Sequence, residues 1–194
     1  GAKIINYVRD LSKKSKLKPY DQRSHIGFLR YLALRFGQNT NELMVNLVTS
    51  YEDLDSLIPF VGEIVNEFPE VTSVVNNINT RKADVSFGER EILLFGKPIL
   101  NEKLNDLTFQ ISANSFFQTN SLMAEKLYDV ILDSANLSGN EIVYDLYCGA
   151  GSISLFLARK AQFVYGFDII VSSIENAEQN AIINNIENID FNVA

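Results

Sequence analysis

The segment "VYDLYCGAGS" ends an apolar, strand-like run on Asp145 and follows it with Gly149 and Gly151 in the turn before a helix-like run. Glycines at such a turn let the backbone reverse sharply and let a bulky ligand approach without Cβ clashes. Seventeen residues after Gly151, a second strand-like run, "QFVYGFD", ends on Asp168. A carboxylate at the tip of a second strand can accept hydrogen bonds from both ribose hydroxyls of an adenine nucleoside. The third glycine of a dinucleotide fingerprint is missing, because position 154 is Ser154. No third glycine brings the helix close to a pyrophosphate, and an acidic Asp145 beside the loop suits a ligand without phosphates. S-adenosylmethionine, with its cationic sulfonium and amino group, fits better than NAD. A glycine turn that binds nothing is the remaining reading.

The other residues with chemical potential are few. Cys148 is the one cysteine of the chain, so an internal disulfide and a thiolate metal cluster are both excluded, and a reducing, cytoplasmic setting follows. A reactive thiol needs an activating neighbour, and none is visible beside Cys148, which is not read as a nucleophile. His25 is the one histidine and reads as a surface residue. No metal site is expected. The chain carries a formal net charge of −7, which excludes a globally basic nucleic-acid binder. Residues 1–23 run against that balance: Lys3, Arg9, Lys13, Lys14, Lys16, Lys18 and Arg23 face only Asp10 and Asp21. Such a stretch is either a phosphate-contacting element or a solvated helix face.

These residues need elements to hold them. The 194 residues allow one large or two small domains, and a composition 46% hydrophobic and 21% charged is that of a folded globular chain. No apolar run approaches the ~18 residues of a membrane span, and no charged-then-apolar leader opens the chain. Gly1 in place of Met points to an expression remnant or a fragment of a longer protein. "AKIINYVRDLSKK" has the spacing of an amphipathic helix. "GFLRYLALRF" and "ELMVNLVTS", separated by "GQNTN", read as a hairpin. "DLDSLIPFVGEIVNEFP" reads as a helix capped by Asp and stopped by Pro. "VTSVVNNIN" and "EILLF" read as strands flanking Gly88, and "LTFQIS" as a strand after an "NEKLND" turn.

From Asn120 the pattern changes to strands alternating with helices, which indicates parallel βαβ crossovers. A helix runs through Met123, Leu127, Val130 and Ile131 to "LSGN". Then come strand "EIVYDLY", which reads as buried, helix "ISLFLARK", strand "QFVYGFD", helix "SSIENAEQNAIINN" and strand "IDFNVA". Ser172 and Glu175 have the spacing of a capping box at the start of the last helix. Ile174, Ala177 and Ala181 share a face suited to close packing, whereas Asn180 and Asn184 are poor interior helix residues. Each of these asparagines, taken alone, reads as plain helix surface.

Taken together, "SFFQTN", "DLYCGAGSISLFLA", "VYGFD" and "IENAEQNAIINN" resemble the RNA 5-methyluridine methyltransferases, which methylate carbon 5 of uridine in tRNA or large-subunit ribosomal RNA. "GFLRYLALR…NELMVNLVT" and "NNINTRKADVSFGEREILLFGK" are similar to that family's central domain, so nearly the whole chain is covered. The resemblance implies an α/β chain in two parts: an α+β central domain over 1–112, then the first strands of a Rossmann-like class I methyltransferase sheet over 113–194. It implies S-adenosylmethionine as cofactor and RNA as partner. Phe116, Gln118 and Asn120 match the family's Phe-x-Gln-x-Asn motif. It places Phe116 against the target uracil, which must leave its stack to be modified; a core aromatic is the competing reading of Phe116. It places Gln118, Tyr147, Gly149, Gly151, Ser152 and Asp168 around the cofactor.

The same resemblance marks departures. In the family a cysteine thiolate far downstream of the position of Asp168 attacks carbon 6 of uracil, and a base later removes the carbon 5 proton. Neither has a counterpart before Ala194, so the chain is expected to bind cofactor weakly and not to methylate RNA alone. A small-molecule methyltransferase and a non-catalytic RNA-binding module with a vestigial loop are the alternatives; residues 1–112 speak against the first.

Overall fold

The computed structural model describes residues 1–83, 85 and 88–194; Asp84, Ser86 and Phe87 of the "NNINTRKADVSFGEREILLFGK" motif lie outside the described residues. The chain is mixed α/β and divides into two compact units, Gly1–Gly37 with Asn41–Leu100, and Gln38–Thr40 with Asn101–Ala194.

The first unit comprises α1 (Ala2–Lys14), β1 (Leu29–Phe36), β2 (Leu43–Thr49), α2 (Leu54–Glu67), β3 (Ser73–Ile78) and β4 (Arg90–Gly96). The sheet order is β1-β2-β3-β4. β1 and β2 pair antiparallel as a hairpin, β2 and β3 parallel, and β3 and β4 antiparallel. Ile4, Val8 and Leu11 recur at three- and four-residue spacing, so α1 presents one apolar stripe to the core. That stripe joins Leu57, Phe60, Val61 and Ile64 of α2 and Val45, Leu47 and Val74 of the sheet. Asp53 caps α2 by accepting the Ser56 N–H at 3.1 Å.

One cation knits the loops of this unit. The Arg30 guanidinium donates to the carbonyls of Asn79 (2.8 Å), Arg81 and Ala83 (2.8 Å), and lies 4.4 Å from the centroid of the Tyr20 ring. Only a planar fork of donors can serve three carbonyls and an aromatic face together.

The second unit begins inside β5 (Ile99–Leu104), which forms a hairpin with β6 (Leu107–Ser112), and continues through α3 (Ser121–Ala135), β7 (Ile142–Leu146), α4 (Ser152–Ala158), β8 (Phe163–Asp168), α5 (Val171–Ile183) and β9 (Ile189–Val193). β7, β8 and β9 form one parallel sheet in that order, the Rossmann-like arrangement expected from the alternation of strands and helices. Val164, Leu157 and Ala158 are buried with Val143 and Ile189 partly buried against them, so the helices cover that face. The other face carries Tyr144, Tyr165 and Phe167, with ring centroids of Tyr144 and Tyr165 5.5 Å apart.

Three readings need correction. "NEKL" within the expected turn is strand: β5 includes Asn101–Leu104, and the turn is confined to Asn105 and Asp106, with Asn105 at φ 51°. β7 is an edge strand of half-buried and exposed residues, not a buried one. Ser172 does not cap α5, which starts at Val171 because the Asp168 carboxylate already takes the Ile170 N–H at 2.9 Å. The compact units divide at residue 100.

Glu102 is the physical reason for that division. It is buried, and it accepts from the amides of Gln38 (2.7 Å), Asn39 (3.0 Å) and Lys103 (2.8 Å) and from the Ser121 hydroxyl (2.6 Å). A buried carboxylate needs such a set of donors, and this one holds residues 38–40, β5 and the start of α3 in one unit.

Replacing Arg30 by Met should destabilise the first unit by about 2–3 kcal/mol, since three carbonyls lose a charged donor. Arg30→Lys should recover little of it. Urea denaturation curves of the three proteins check this.

Candidate functional site

The turn after β7 is made by residues that L side chains rarely permit: Tyr147 at φ 67°, Gly149 at φ 56° and Gly151 at φ 77°. The two glycines serve different ends. A Cβ on Gly151 would stand 2.8 Å from the Phe191 ring and 3.0 Å from both Ala177 and Leu155, so this position is glycine for packing. A Cβ on Gly149 would meet nothing within 4 Å. The loop is therefore open above Gly149, where a ligand can lie against the backbone.

Asp168 fixes the turn from below. One carboxylate oxygen accepts the Gly149 N–H at 3.0 Å and the other the Ile170 N–H at 2.9 Å. Each oxygen keeps a second lone pair, so the side chain still has two acceptor sites to offer. The Cys148 N–H donates to Phe167 O at 2.9 Å, and the Gly151 N–H to Cys148 O at 3.0 Å. An open cleft of about 340 Å³ beside the turn is lined by Leu146, Tyr147, Phe167, Asp168, Ile169 and Ala194. The structure thus brings Tyr147, 85% exposed, and Asp168 into one cleft.

The remaining site residues follow from what pins their neighbours. Ser115 is buried, accepts from the Asn176 amide at 2.8 Å and hydrogen-bonds the Ser112 hydroxyl at 2.7 Å. Phe117 is buried with its ring centroid 5.6 Å from that of Phe109. Between and after these anchors, Phe116 is 75% exposed and Gln118 is exposed. Phe116 is not a core aromatic; Phe117 takes that place. Neither Phe116 nor Gln118 lines the cleft beside Asp168. Ser152 accepts the Tyr128 hydroxyl at 3.0 Å, which leaves its own proton free to donate. Asn120 caps α3 at the Met123 N–H, 3.1 Å away.

Two features escaped the sequence reading. Ser154 is fully buried and donates to Asp145 at 2.5 Å, so the residue in place of the third glycine orients the loop's carboxylate. Burial raises the Asp145 carboxyl above its ordinary value, and the Ser154 hydroxyl partly offsets this. The second feature is the asparagine row of α5. Asn180, fully buried, accepts the Gln110 N–H at 2.8 Å and donates to Ala150 O at 3.1 Å. Asn184 accepts the Thr108 N–H at 2.8 Å and donates to Thr108 O at 2.7 Å. Four helix residues rise about 6.0 Å and two strand residues about 6.8 Å, so a helix with asparagines four apart can pair with a strand edge. The signal was present as Asn176, Asn180 and Asn184 on one face beside Ala177 and Ala181.

The Cys148 thiol is buried, and burial with the nearby Asp145 and Asp168 charges pushes it up to about 12. No group of His, Cys, Asp and Glu suited to a metal ion occurs among the described residues.

Comparison with known proteins points one way. The model of a family described as tRNA (uracil-5-)-methyltransferase matches residues 77–193. A Bacillus cereus protein named "Uncharacterized RNA methyltransferase" is 41% identical over 190 residues, covering 98% of this chain and 42% of that protein. The crystal structure of Pyrococcus abyssi tRNA (uracil-54, C5)-methyltransferase in complex with S-adenosyl-L-homocysteine matches with a TM-score of 0.79 and 34% identity, over 98% of this chain and 45% of that one. A Methanocaldococcus jannaschii tRNA m1G37 methyltransferase shares the fold, with a TM-score of 0.53 and 19% identity over 95% of this chain and 51% of its own. The chain spans 39–42% of the length of the curated relatives it matches.

Two outcomes are expected. Asn180→Ala should cost roughly 2–4 kcal/mol by orphaning the Gln110 N–H and the Ala150 carbonyl, lowering the unfolding midpoint by about 10 °C or more; Asn180→Asp, which keeps the acceptor, should fall between. Cys148 should react with a thiol-specific disulfide reagent at pH 8 at least about 100-fold more slowly in the native chain than in urea, because the thiol is buried and stays protonated.

Proposed function

Since the chain belongs to the tRNA (uracil-5-)-methyltransferase family, we propose that its protein transfers a methyl group from S-adenosylmethionine to carbon 5 of a uridine in tRNA or ribosomal RNA. The observation that carries this reading is the pairing of Asp168 with the open side of Gly149. A carboxylate with acceptor sites to spare, beside a turn with empty space above it, fits a ribose whose nucleoside lies along the loop.

On this reading Asp168 holds the ribose hydroxyls, and the exposed Tyr147 ring covers the nucleoside from the solvent side. Gly149 lets the ligand touch the backbone, and Gly151 keeps the loop packed against Phe191. The free proton of Ser152 and the amide of Gln118 orient the methionine part. Phe116 stacks on the extruded uracil, and its exposed ring has the area to do so. The bound cofactor supplies an electrophilic methyl group on a sulfonium.

Carbon 5 of uracil becomes nucleophilic once a thiolate adds to carbon 6 and would then take the methyl group, the sulfonium leaving as a thioether; a base removes the carbon 5 proton and the thiolate is expelled from carbon 6. Cys148 does not serve here, because a thiol held protonated to about 12 offers almost no thiolate at neutral pH. The nucleophilic cysteine and the base belong to parts of the protein outside these 194 residues. Residues 1–112 serve as the central domain and 113–194 as the front of the methyltransferase domain. No helix among the described residues is long and apolar enough to cross a membrane, and the lone buried thiol suits work in the cytoplasm on cellular RNA.

S-adenosylhomocysteine should titrate weakly into the wild-type chain in calorimetry, and Asp168→Ala should weaken it about tenfold or more. Equal affinities in the two proteins would remove Asp168 from the site.

A further inference from the structure

We propose that the first unit carries an RNA-binding cleft of its own, which takes one unpaired nucleotide of single-stranded RNA with the base against Tyr51 and Ile26 and the phosphate on Lys16 and Lys18. The proposal rests on the reading that RNA is the substrate. An open cleft of about 430 Å³ lies past the C-terminal end of α1, with Lys16, Lys18, Ile26, Tyr51, Asp53 and Ser56 among its lining residues. Pockets for small ligands begin at about 300 Å³.

The apolar walls are exposed but held. Tyr51 is 52% exposed and Ile26 68%. The Tyr51 ring leans on buried Phe28, with centroids 4.9 Å apart, and its carbonyl accepts the Thr49 hydroxyl at 2.8 Å. Ile26 sits on a loop closed by hydrogen bonds from the Phe28 N–H to Lys18 O, the Tyr20 N–H to Leu29 O and the Asp21 N–H to Ile26 O, each 2.8 Å. Asp21 tightens the same loop by accepting from the Ser24 amide at 2.6 Å and hydroxyl at 2.9 Å. An aromatic ring and an aliphatic side chain held in this way form a stacking platform with little left to order on binding.

The charge is complementary to a phosphate. Lys13 is engaged with Asp10 at 3.4 Å, whereas Lys16 and Lys18 make no ion pair among the described residues. The acidic group in the cleft is Asp53, one of whose carboxylate oxygens caps α2 at the Ser56 N–H. Its charge keeps a phosphate away from the start of α2 and leaves the Lys16–Lys18 rim as the favourable place. On a chain of net charge −7 this is a local reversal of sign. A base inside a duplex stack cannot reach Tyr51, so the cleft selects unpaired RNA.

The test is fluorescence anisotropy with a labelled ten-nucleotide single-stranded RNA of mixed sequence, its duplex, and free AMP and UMP as competitors. The wild-type chain should bind the single strand better than the duplex, and free nucleotides should compete only weakly. Replacing Lys16 and Lys18 together by Gln should flatten the plot of log affinity against log salt by about 0.7, the share of one phosphate contact on single strands. Tyr51→Ala should weaken binding about fivefold or more at fixed salt, and Tyr51→Phe should restore it. No binding by the wild type, an unchanged slope, or equal losses on single strand and duplex would overturn the cleft. S-adenosylhomocysteine titrations of the same variants should match the wild type. If they do while RNA binding ignores the substitutions, the cleft falls and the methyltransferase reading stands; if Asp168→Ala binds cofactor like wild type, that reading falls by itself.

Discussion

A carboxylate at the end of a strand sets the geometry of the second unit's turn. Asp168 holds two backbone amides, Gly149 on one side and Ile170 on the other. The first belongs to the loop after β7 and the second to the start of α5. The side chain therefore fixes the spacing between two strand ends and the entry of a helix at once. The open backbone at Gly149, the exposed ring of Tyr147 and the remaining lone pairs of the carboxylate are all placed by this anchor.

Charge is distributed around that anchor with a clear division of labour. Asp145 is half-buried and bound to Ser154, and burial raises its carboxyl. Cys148 is shifted in the same direction, first by burial and then by the charges of Asp145 and Asp168, so its thiol is kept from ionising. A loop that holds a cationic ligand gains from anionic neighbours, and the same neighbours make a thiolate unfavourable. Burial and two nearby carboxylates together make Cys148 a poor nucleophile.

Local signals carried much of this architecture. The stripe on α1, the Asp53 cap on α2, the alternation from Asn120 onward and the glycine spacing are all short-range, and they put β7, α4, β8 and α5 within a few residues of where they stand. The misreadings share a cause. "NEKL" looks like a polar turn, but Glu102 is held inside by amides from residues 38 and 39, far away in sequence. Ser172 has the spacing of a cap, but Asp168 reached the helix start first. Asn180 looks like surface until β6, from an earlier part of the chain, is laid beside it. Phe116 and Phe117 are indistinguishable as residue types, and only packing against Phe109 decides which goes inside. Partners distant in the chain leave little trace in a local window.

The asparagine row of α5 has a consequence for how this unit can vary. Asn180 and Asn184 bond to main-chain atoms of Thr108 and Gln110, never to their side chains. The helix therefore reads β6 as a backbone, in the way one strand reads another. Every residue except proline presents the same N–H and carbonyl, so the docking places no demand on the half-buried side chains at 108 and 110. The burden of specificity is one-sided: the helix needs an amide at each position, while the strand's outer residues are free to drift.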